Sequence, residues 1–304
     1  MDEELQSICE RITGWRGRNI ESITPLDGGY TNRNYSVLVD GEWYALRVGG
    51  DNAEMLGIDR KRELAVLNLV SRENVFPEIS DFLLPEGHLV TRFVAGEKWT
   101  PQEFRTEPVL ELTATVLRKI HSLPPLGFRF SPYSDIRSRL ESARRSGIPL
   151  PSALPGLMKE LERIERSRSG NKGDRLCLCH NDAFLTNFLH NGHVWLLDWE
   201  YAGDGDPLYD IASTCLGCDA GSTRHFLERY GEPPSAPTLE AIEDQRYVVR
   251  FWNGMWALLQ AETPQANEAY DYDTVVKNVF RSLATHVAAR AAAHAATHAA
   301  ARAD

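Results

Sequence analysis

Apolar and polar positions alternate through much of the first hundred residues. The segments "RNYSVLVD" and "EWYALRV" place apolar side chains at every second position, which predicts two strands. The Asp40-Gly41 pair between them is a strong signal for a tight hairpin turn. "ITPLD" adds a preceding strand, "FLLPEGHLVTRFVAG" predicts a second hairpin, and "GIDRKRELAVLNLVSREN" has helical spacing. After a short helix over residues 3–15, this part of the chain is predicted to be an antiparallel sheet with one helix.

Helical spacing replaces alternation after residue 100. A helix is predicted in "TPQEFRTEPVLELTATVLRKIHSL", opening at Thr100, and a charged helix at about 154–168, with Pro- and Gly-bearing loops between them. Short strands return over 176–200, and the pattern from 207 onward is helical, broken at 231–237 and 262–265. The fold class predicted is α+β, with an N-terminal lobe over 1–95, a mostly helical C-terminal lobe over 96–304 and an Ala-rich helical tail over 284–304.

Composition narrows the class of protein. The 304 residues are 42% hydrophobic and 25% charged, with a formal net charge of −10. No basic block or face is evident, which argues against a nucleic-acid partner, whereas an acidic protein can attract a cationic small molecule. No apolar run is long enough to span a membrane, and the acidic N-terminus does not resemble a signal peptide. Five cysteines in such a chain indicate free thiols and a cytoplasmic location.

The densest chemistry lies in "LCLCHNDAFLTNFLHNGHVWLLDWEYAGDGDPLYD", residues 176–210. The Asn191-Gly192 pair predicts a two-residue hairpin turn, in which Asn187 faces Leu196. Asp198 then lies just past the returning strand, and Asp182 lies in the loop that leads to the same end. Carboxylate and amide oxygens suit Mg²⁺, so the sequence predicts a magnesium site at this end of the hairpin.

The spacing of these residues points to a reaction. His180-x-Asp182-x4-Asn187 matches the spacing of the protein-kinase catalytic loop. In that pattern the Asp orients the attacking hydroxyl and accepts its proton, while the Asn and a downstream Asp hold the metal. We therefore predict Asp182, Asn187 and Asp198 as catalytic residues, with Asn187 and Asp198 as metal ligands and with ATP and Mg²⁺ as cofactors.

The segments "CHNDAFLTNFL" and "VWLLDWEYAGDGDPLYDIA" resemble choline/ethanolamine kinases of the aminoglycoside-phosphotransferase superfamily. The resemblance extends over roughly residues 20–280 and implies a protein-kinase-like two-lobe fold. It also implies ATP-dependent phosphorylation of an alcohol group on an amino alcohol, first of all choline. Ethanolamine, thiamine, a sugar or an aminoglycoside remain open as acceptors, and so does a homodimer. The alternative from a different class is a nucleotide-binding pseudokinase or scaffold.

The same resemblance implies a nucleotide site in the first hundred residues. The small-residue turn in "DGGYTNRNY" is able to lie over phosphates, and Arg47 stands where protein kinases carry a phosphate-binding Lys. Glu63 on the next helix is its expected partner, and "VTRFVAG" fits a hinge whose main chain meets adenine. The predicted residues are Gly28, Gly29, Thr31, Asn32, Arg47, Glu63, Arg92, Phe93 and Val94.

A cationic acceptor requires carboxylates or aromatic faces. Trp252 and Trp256 lie one helical turn apart, as in the helix that lines the choline site of choline kinases. That helix often spaces its tryptophans by three, which makes Trp256 the safer prediction; the alternative is that these rings pack the core. A family carboxylate would fall near Gly217 and is missing. The predicted acceptor residues are Glu200, Tyr201, Asp206, Trp252, Trp256 and Tyr272, and which acid among Glu200, Asp204 and Asp206 faces the acceptor stays open.

Two metal alternatives lie outside this scheme. Cys177, Cys179, Cys215 and Cys218 form two closely spaced pairs that could bind zinc, or else fill a buried strand and helix. In the tail, charged residues recur every fourth position, which suits either a His metal pair or a solvated polar row on a terminal helix. These residues are His286, Arg290, His294, His298 and Arg302.

Overall fold

The computed structural model describes residues 3–27, 31–169, 176–262 and 270–300, with side chains except at 169 and 293–300. The chain forms two compact units, one of residues 1–130 and 176–236 and the other of residues 131–175 and 237–304. This division does not test the predicted lobe boundary after residue 95, which stays a prediction. The predicted Gly28 and Gly29 lie outside the described residues.

The first unit begins with a five-stranded antiparallel sheet. Its strand order is β1-β2-β3-β5-β4. The strands are β1 (Ile20–Leu26), β2 (Arg33–Val39), β3 (Glu42–Val48), β4 (Ile79–Leu83) and β5 (His88–Arg92). Helix α1 (Glu3–Arg11) precedes the sheet, and α2 (Arg60–Arg72) lies between β3 and β4. Both predicted hairpins and the single helix between them are confirmed.

The β2–β3 turn forms where the Asp-Gly signal places it. Asp40 and Gly41 both have positive φ, 46° and 76°. Two successive positive φ values characterise the hairpin turn whose twist matches that of its strands. The turn fixes the register, with Val39 opposite Glu42 and Tyr35 opposite Leu46. The apolar positions of both strands therefore share one face.

That face packs against α1 and the short 3-10 turn that follows it. The predicted helix over 3–15 ends at Arg11, and Thr13–Trp15 forms the 3-10 turn. The buried members of this core are Leu5, Ile8, Cys9, Ile12, Trp15, Val37, Val39, Tyr44, Leu46, Val48 and Val90. Every second residue along β2 and β3 and every third or fourth residue of α1 belongs to this core, and these residues pack together in one apolar layer.

The rest of the first unit consists of helices and three-residue strands. Thr100 and Glu103 form a reciprocal capping pair around a 3-10 turn, so the predicted helix begins seven residues later than Thr100, at Glu107. The elements are α3 (Glu107–His121), β6 (Cys177–Cys179), β7 (Phe188–His190), β8 (Val194–Leu196), β9 (Gly203–Gly205), α6 (Pro207–Thr214) and α7 (Ala220–Tyr230).

The second unit is helical. Its elements are α4 (Pro132–Arg145), α5 (Leu154–Ser169), α8 (Ala236–Gln260) and α9 (Tyr272–Ala300). The prediction of loops up to residue 156 is wrong, because α4 occupies this stretch. Ser131 accepts a hydrogen bond from the Ser134 N–H, and Pro132 stands at the first helical position, where its missing N–H is tolerated. Within the described residues, no helix is both long and apolar enough to cross a bilayer.

Shortening one buried side chain of the sheet should weaken the first unit. Leu46 is fully buried on β3, whereas Leu26 on β1 is 37% exposed. We expect Leu46→Ala to lower the free energy of unfolding by about 3 kcal/mol, since it leaves a cavity, and Leu26→Ala to lower it by less than about 1 kcal/mol. Urea unfolding followed by circular dichroism measures both, and equal losses would contradict the assigned core.

Candidate active site

The loop after β6 and the loop after β8 carry the predicted catalytic residues, and the structure brings these loops together. The Asn187 amide Nδ2 donates to Asp182 Oδ2 at 2.9 Å and to the Asp182 carbonyl at 2.8 Å. The N–H of Leu197 donates to the Asn187 carbonyl at 2.9 Å, immediately before Asp198. Asp182 and Asn187 are therefore bonded to each other, and Asp198 follows a residue bonded to Asn187.

The β7–β8 hairpin produces this arrangement, and its turn has one residue more than predicted. Phe188 pairs with Leu196 and His190 with Val194, so the predicted pairing of Asn187 with Leu196 is wrong. The turn has three residues, and the Asn191 N–H donates to the His193 carbonyl across it. Gly192 takes a φ of +93°, which L side chains rarely adopt. The shift leaves Asn187 just outside the ladder, bonded through its carbonyl to Leu197.

Asp210 holds the loop that carries Asp182. Its carboxylate, fully buried on α6, accepts the N–H groups of His180 and Asn181 at 2.7 Å each. The third bond joins Oδ2 to His121 Nε2 at 3.0 Å. Asn181 takes a φ of +64°, a conformation that costs an L residue energy unless its surroundings impose it. Asp210 thus fixes the turn from which Asp182 projects.

His180 joins the two loops. Its Nε2 bonds to the Leu197 carbonyl at 2.8 Å, and its Nδ1 accepts the Asp182 N–H at 3.2 Å, which defines a neutral ring protonated at Nε2. The ring also packs edge-on against Trp199, with centroids 4.6 Å apart. Burial lowers the pKa of His180 to about 4, so the ring stays neutral at physiological pH.

Asp198 has the features of a cation ligand. It takes a φ of +66°, and its buried Oδ1 has no hydrogen-bond partner among the residues that the structure describes. Burial, followed by the Glu200 carboxylate, raises the pKa of Asp198 to about 7. An unsatisfied buried carboxylate oxygen is costly unless a cation binds it. The donor set of Asp198 and the Asn187 amide oxygen fits Mg²⁺, which prefers oxygen ligands.

A chain of alternating charges lies beside Asp198. Arg47 on β3 pairs with Glu63 on α2, as predicted, and donates to the Gly87 carbonyl at 2.9 Å. Burial opposes the Arg47 charge, but the Glu63, Glu200 and Asp198 carboxylates together raise its pKa. Burial likewise opposes the Glu63 charge, and the guanidinium groups of Arg47 and Arg60 together lower its pKa. Both groups therefore stay ionised.

The sequence did not identify Arg60, which continues this chain of charges. Its Nη1 donates to Glu63 Oε2 at 2.8 Å and to Glu200 Oε2 at 3.1 Å. Its Nη2 donates to Asn32 Oδ1 at 3.1 Å. The only local signal is the Arg-x-x-Glu spacing of Arg60 and Glu63, which is common on exposed helix faces.

The structure places the predicted nucleotide residues in different settings. Asn32 is buried, its Nδ2 donates to Glu200 Oε2 at 3.0 Å, and its Oδ1 also accepts from the Gly50 N–H at 3.3 Å. Thr31 precedes it. At the predicted hinge, the N–H groups of Arg92 and Phe93 already donate to the Glu78 and Trp43 carbonyls. Val94 follows directly after Phe93.

The acids after Asp198 have separate partners. Glu200 lies in the chain of charges just described. Asp204 accepts the N–H groups of Leu126 and Gly127 at 2.9 and 2.6 Å, so it anchors the backbone after α3. Asp206 caps α6 by accepting the Leu208 N–H at 2.9 Å. Tyr201 is 3% exposed.

Three predicted aromatic residues of the acceptor site, Trp252, Trp256 and Tyr272, lie in the second unit. Trp252 is buried, donates its indole N–H to Asp135, and carries the Arg139 guanidinium 4.2 Å from its ring centroid. Trp256 packs against Tyr272 with centroids 5.9 Å apart, and Tyr270 lies 4.7 Å from Tyr272. The three rings at 256, 270 and 272 form a cluster distinct from the Trp252–Arg139 stack.

The four cysteines do not gather into one site in the described part of the chain. Cys177 and Cys179 cluster instead with His121, and their sulfurs lie 3.8 Å apart. Both His121 ring nitrogens are engaged, Nδ1 with the Tyr230 hydroxyl and Nε2 with Asp210. The four-cysteine alternative is therefore wrong. For the tail, α9 bears out the helix as far as Ala300, and the side chains of His294, His298 and Arg302 lie outside the described residues.

Comparison with known proteins defines the class. Residues 22–244 match the phosphotransferase enzyme family, so the chain belongs to that family. Human ethanolamine kinase 2 is 22% identical over 297 residues, covering 84% of this chain and 74% of that protein. Thiamine kinase of Escherichia coli is 29% identical over 133 residues, covering 43% of this chain and 46% of that protein.

A solved structure shows the fold. Choline kinase LicA from Streptococcus pneumoniae superimposes with a TM-score of 0.79 at 23% identity, covering 93% of this chain and all of that one. A second structure, LicA in complex with AMP, gives a TM-score of 0.77 at 21% identity, covering 94% of this chain and 99% of that chain. The predicted α+β, protein-kinase-like fold is confirmed. The chain is thus a phosphotransferase whose relatives are small-molecule kinases.

The neutral state of His180 predicts a pH-dependent stability. Unfolded histidine has a pKa of about 6.5, so as pH falls below that value the unfolded chain takes up a proton that the folded chain refuses until about pH 4. Stability from this group is complete above pH 6.5 and falls by about 3 kcal/mol on the way to pH 4. Urea unfolding of the wild type and of His180→Asn between pH 7.5 and 4.5 measures the difference.

The matched control is His193→Gln, because His193 is exposed. His180→Asn should reduce the acid-side slope of stability, and His193→Gln should retain it. Parallel slopes for the wild type and His180→Asn would contradict the buried neutral ring.

Proposed function

We propose that the chain transfers the γ-phosphate of ATP to the hydroxyl of an amino alcohol, first of all choline. One observation supports this most: the bonded pair of Asp182 and Asn187 lies beside Asp198, whose Oδ1 lacks a partner among the described residues. Carboxylate, amide and carboxylate are the groups that phosphoryl transfer requires, a hydroxyl-orienting acid and two oxygen ligands for a metal.

In this mechanism Asp182 accepts a hydrogen bond from the acceptor hydroxyl and takes its proton late. Asn187 and Asp198 would hold Mg²⁺, which when bound neutralises charge on the transferring phosphate. Arg47, held by Glu63, would supply positive charge to the phosphates and needs no proton exchange, because its guanidinium stays charged. Since the transition state is largely loose, positioning and charge contribute more than a strong base.

ATP is proposed to lie against the β1–β2 side of the sheet. Gly28 and Gly29 precede Thr31 and Asn32 in the turn assigned to the phosphates. At the hinge residues Arg92, Phe93 and Val94, main-chain groups other than the engaged N–H groups of Arg92 and Phe93 would meet adenine. The structure of LicA with AMP supports a nucleotide for this family.

The proposed acceptor residues of the second unit are Trp256 and Tyr272. Aromatic faces suit a quaternary ammonium group, and the Trp256–Tyr272 pair supplies two of them. Trp252 is a weaker candidate, because the protein's own Arg139 covers its ring. Of the proposed acids, Glu200 and Asp206 already have protein partners. The relatives named above leave ethanolamine and thiamine as second acceptors, followed by a sugar or an aminoglycoside.

Substitutions in the bonded pair and at Asp198 should abolish turnover. We expect Asp182→Asn to lower kcat by roughly 10²–10⁴-fold, the usual size of general-base catalysis, with MgADP affinity retained. Asp198→Ala should remove both turnover and the magnesium dependence of ADP binding. A coupled ADP-release assay and calorimetry measure these quantities.

The control for these variants is Asp219→Asn, since Asp219 caps α7 through the Ser222 N–H and Asn is an equally good cap. It should retain wild-type kcat. Wild-type activity in Asp182→Asn or Asp198→Ala would overturn the assignment. ADP binding by the wild type without ATP consumption on any acceptor would favour the pseudokinase.

An acceptor screen tests the ammonium site. With choline as substrate, Trp256→Ala should raise KM by roughly tenfold to thirtyfold, the size of a desolvated cation–π contact, and leave KM for ATP unchanged. For the neutral isostere 3,3-dimethylbutan-1-ol, Trp256→Ala should raise KM much less, because this compound lacks the positive charge. Leu112→Ala, which removes a 48% exposed apolar side chain from α3, serves as the control. No turnover of choline would refute the first choice of acceptor.

A further inference from the structure

Arg60 occupies a position that its local sequence does not explain. It is the first residue of α2, where side chains normally reach solvent, yet its side chain is only 5% exposed. Its two terminal nitrogens contact three groups: Glu63, Glu200 and Asn32. Glu63 lies on α2, Glu200 lies in the segment after Asp198, and Asn32 immediately precedes β2.

The stem of Arg60 is held as closely as its head. A Cβ added to Gly87 would collide with the Arg60 Cδ, Cγ and Nε atoms, so the side chain lies directly on the β4–β5 turn. Gly87 has a φ of +79°, and its carbonyl accepts a hydrogen bond from Arg47 at 2.9 Å. Arg47 and Arg60 therefore both contact the β4–β5 turn, and both pair with the Glu63 carboxylate.

The charges along this path alternate. Arg47, Glu63, Arg60 and Glu200 run positive, negative, positive, negative, and all four side chains are at most 11% exposed. A buried charge is tolerated only with a partner at hydrogen-bond distance, so each group restricts the position of the next. Moving Glu200 thus displaces Arg60, and moving Arg60 displaces both Glu63 and Asn32.

We propose that Arg60 is a positioning residue that couples the Arg47–Glu63 pair to the segment carrying Asp198. Asn32 Oδ1 accepts from Arg60 and from the Gly50 N–H, so the same guanidinium also fixes the flank of the predicted phosphate turn. Arg60 touches no reacting atom and acts through its three partners. This inference rests on the proposed function, because the proposed function assigns phosphate to Arg47 and the metal ion to Asp198.

The coupling depends on the fixed geometry of the Arg60 guanidinium. A guanidinium presents donors in two fixed directions, whereas a Lys ammonium is a single flexible point charge. Arg60→Lys keeps the charge that Glu63 and Glu200 need and removes the fixed geometry. We expect the variant to fold, with MgADP affinity about tenfold weaker, the scale of one lost charge-assisted hydrogen bond, and kcat lower. KM for the acceptor should change little.

Arg246→Lys is the matched control. Arg246 is similarly buried and pairs with Glu243 one helical turn away, but it lies in the second unit. Arg246→Lys should retain MgADP affinity and kcat, whereas Arg60→Lys should lower both. If Arg60→Lys lowers the melting temperature and leaves MgADP affinity and kcat at the level of Arg246→Lys, Arg60 has a structural role only and the inference is overturned.

A double-mutant cycle tests the path itself. Arg60→Met and Glu200→Gln should each weaken MgADP binding, and the double variant should be no weaker than the worse single one, because both break the same link. Additive losses would overturn the coupling. Calorimetry of MgADP binding needs no acceptor, so its result stands apart from turnover: a wild type that turns over no acceptor contradicts the proposed function alone.

Discussion

The need to pair every charge removed from water governs the first unit. Arg47, Glu63, Arg60 and Glu200 are all buried, and each isolated ion would cost several kcal/mol in a low-dielectric interior. The structure meets this cost by joining the four into one path from β3 through α2 to the segment after Asp198. Such a path contributes little net stability compared with apolar packing, but it fixes relative positions. The sheet, helix α2 and the segment that carries Asp198 are distant in sequence, and this path fixes their positions relative to one another.

The loop with Asp182 depends on the same principle applied to backbone groups. The N–H groups of His180 and Asn181 point at the buried Asp210 carboxylate, and a buried N–H without a partner is nearly as costly as a lost hydrogen bond. The neutral ring of His180 then bonds to Leu197 and links this loop to the one before Asp198. Two buried groups with no part in phosphoryl transfer thus determine where the proposed reacting groups lie. Asp210 holds the loop with Asp182 directly and meets the loop before Asp198 only through His180, so it acts without touching the proposed reacting groups.

The sequence predicted those features whose signal is local. The β2–β3 turn was predicted from the Asp40-Gly41 pair. The approach of the loops carrying Asp182, Asn187 and Asp198 was predicted from one hairpin. The one-residue error in the predicted register did not change this result, because the loop after β8 bonds back to Asn187. Helix α4 was missed because Pro132 reads as a loop residue when its role at the first helical position is overlooked. Arg60 could not be found, since two of its three partners lie 28 and 140 residues away and its spacing to Glu63 does not distinguish a buried guanidinium from a solvated one.

The two tryptophans proposed for the acceptor site have different neighbours. The Arg139 guanidinium occupies one face of the Trp252 ring, and the side chain is buried, so the Arg139–Trp252 pair favours structural support for α4 and α8 over contact with a substrate cation. Asp135 reinforces this by accepting from both the Trp252 indole and Arg139. Trp256 packs against the Tyr272 ring instead, and this aromatic setting supports its place in the proposed ammonium site. The spacing along α8 already favoured Trp256 over Trp252, and the neighbours of the two rings favour it further.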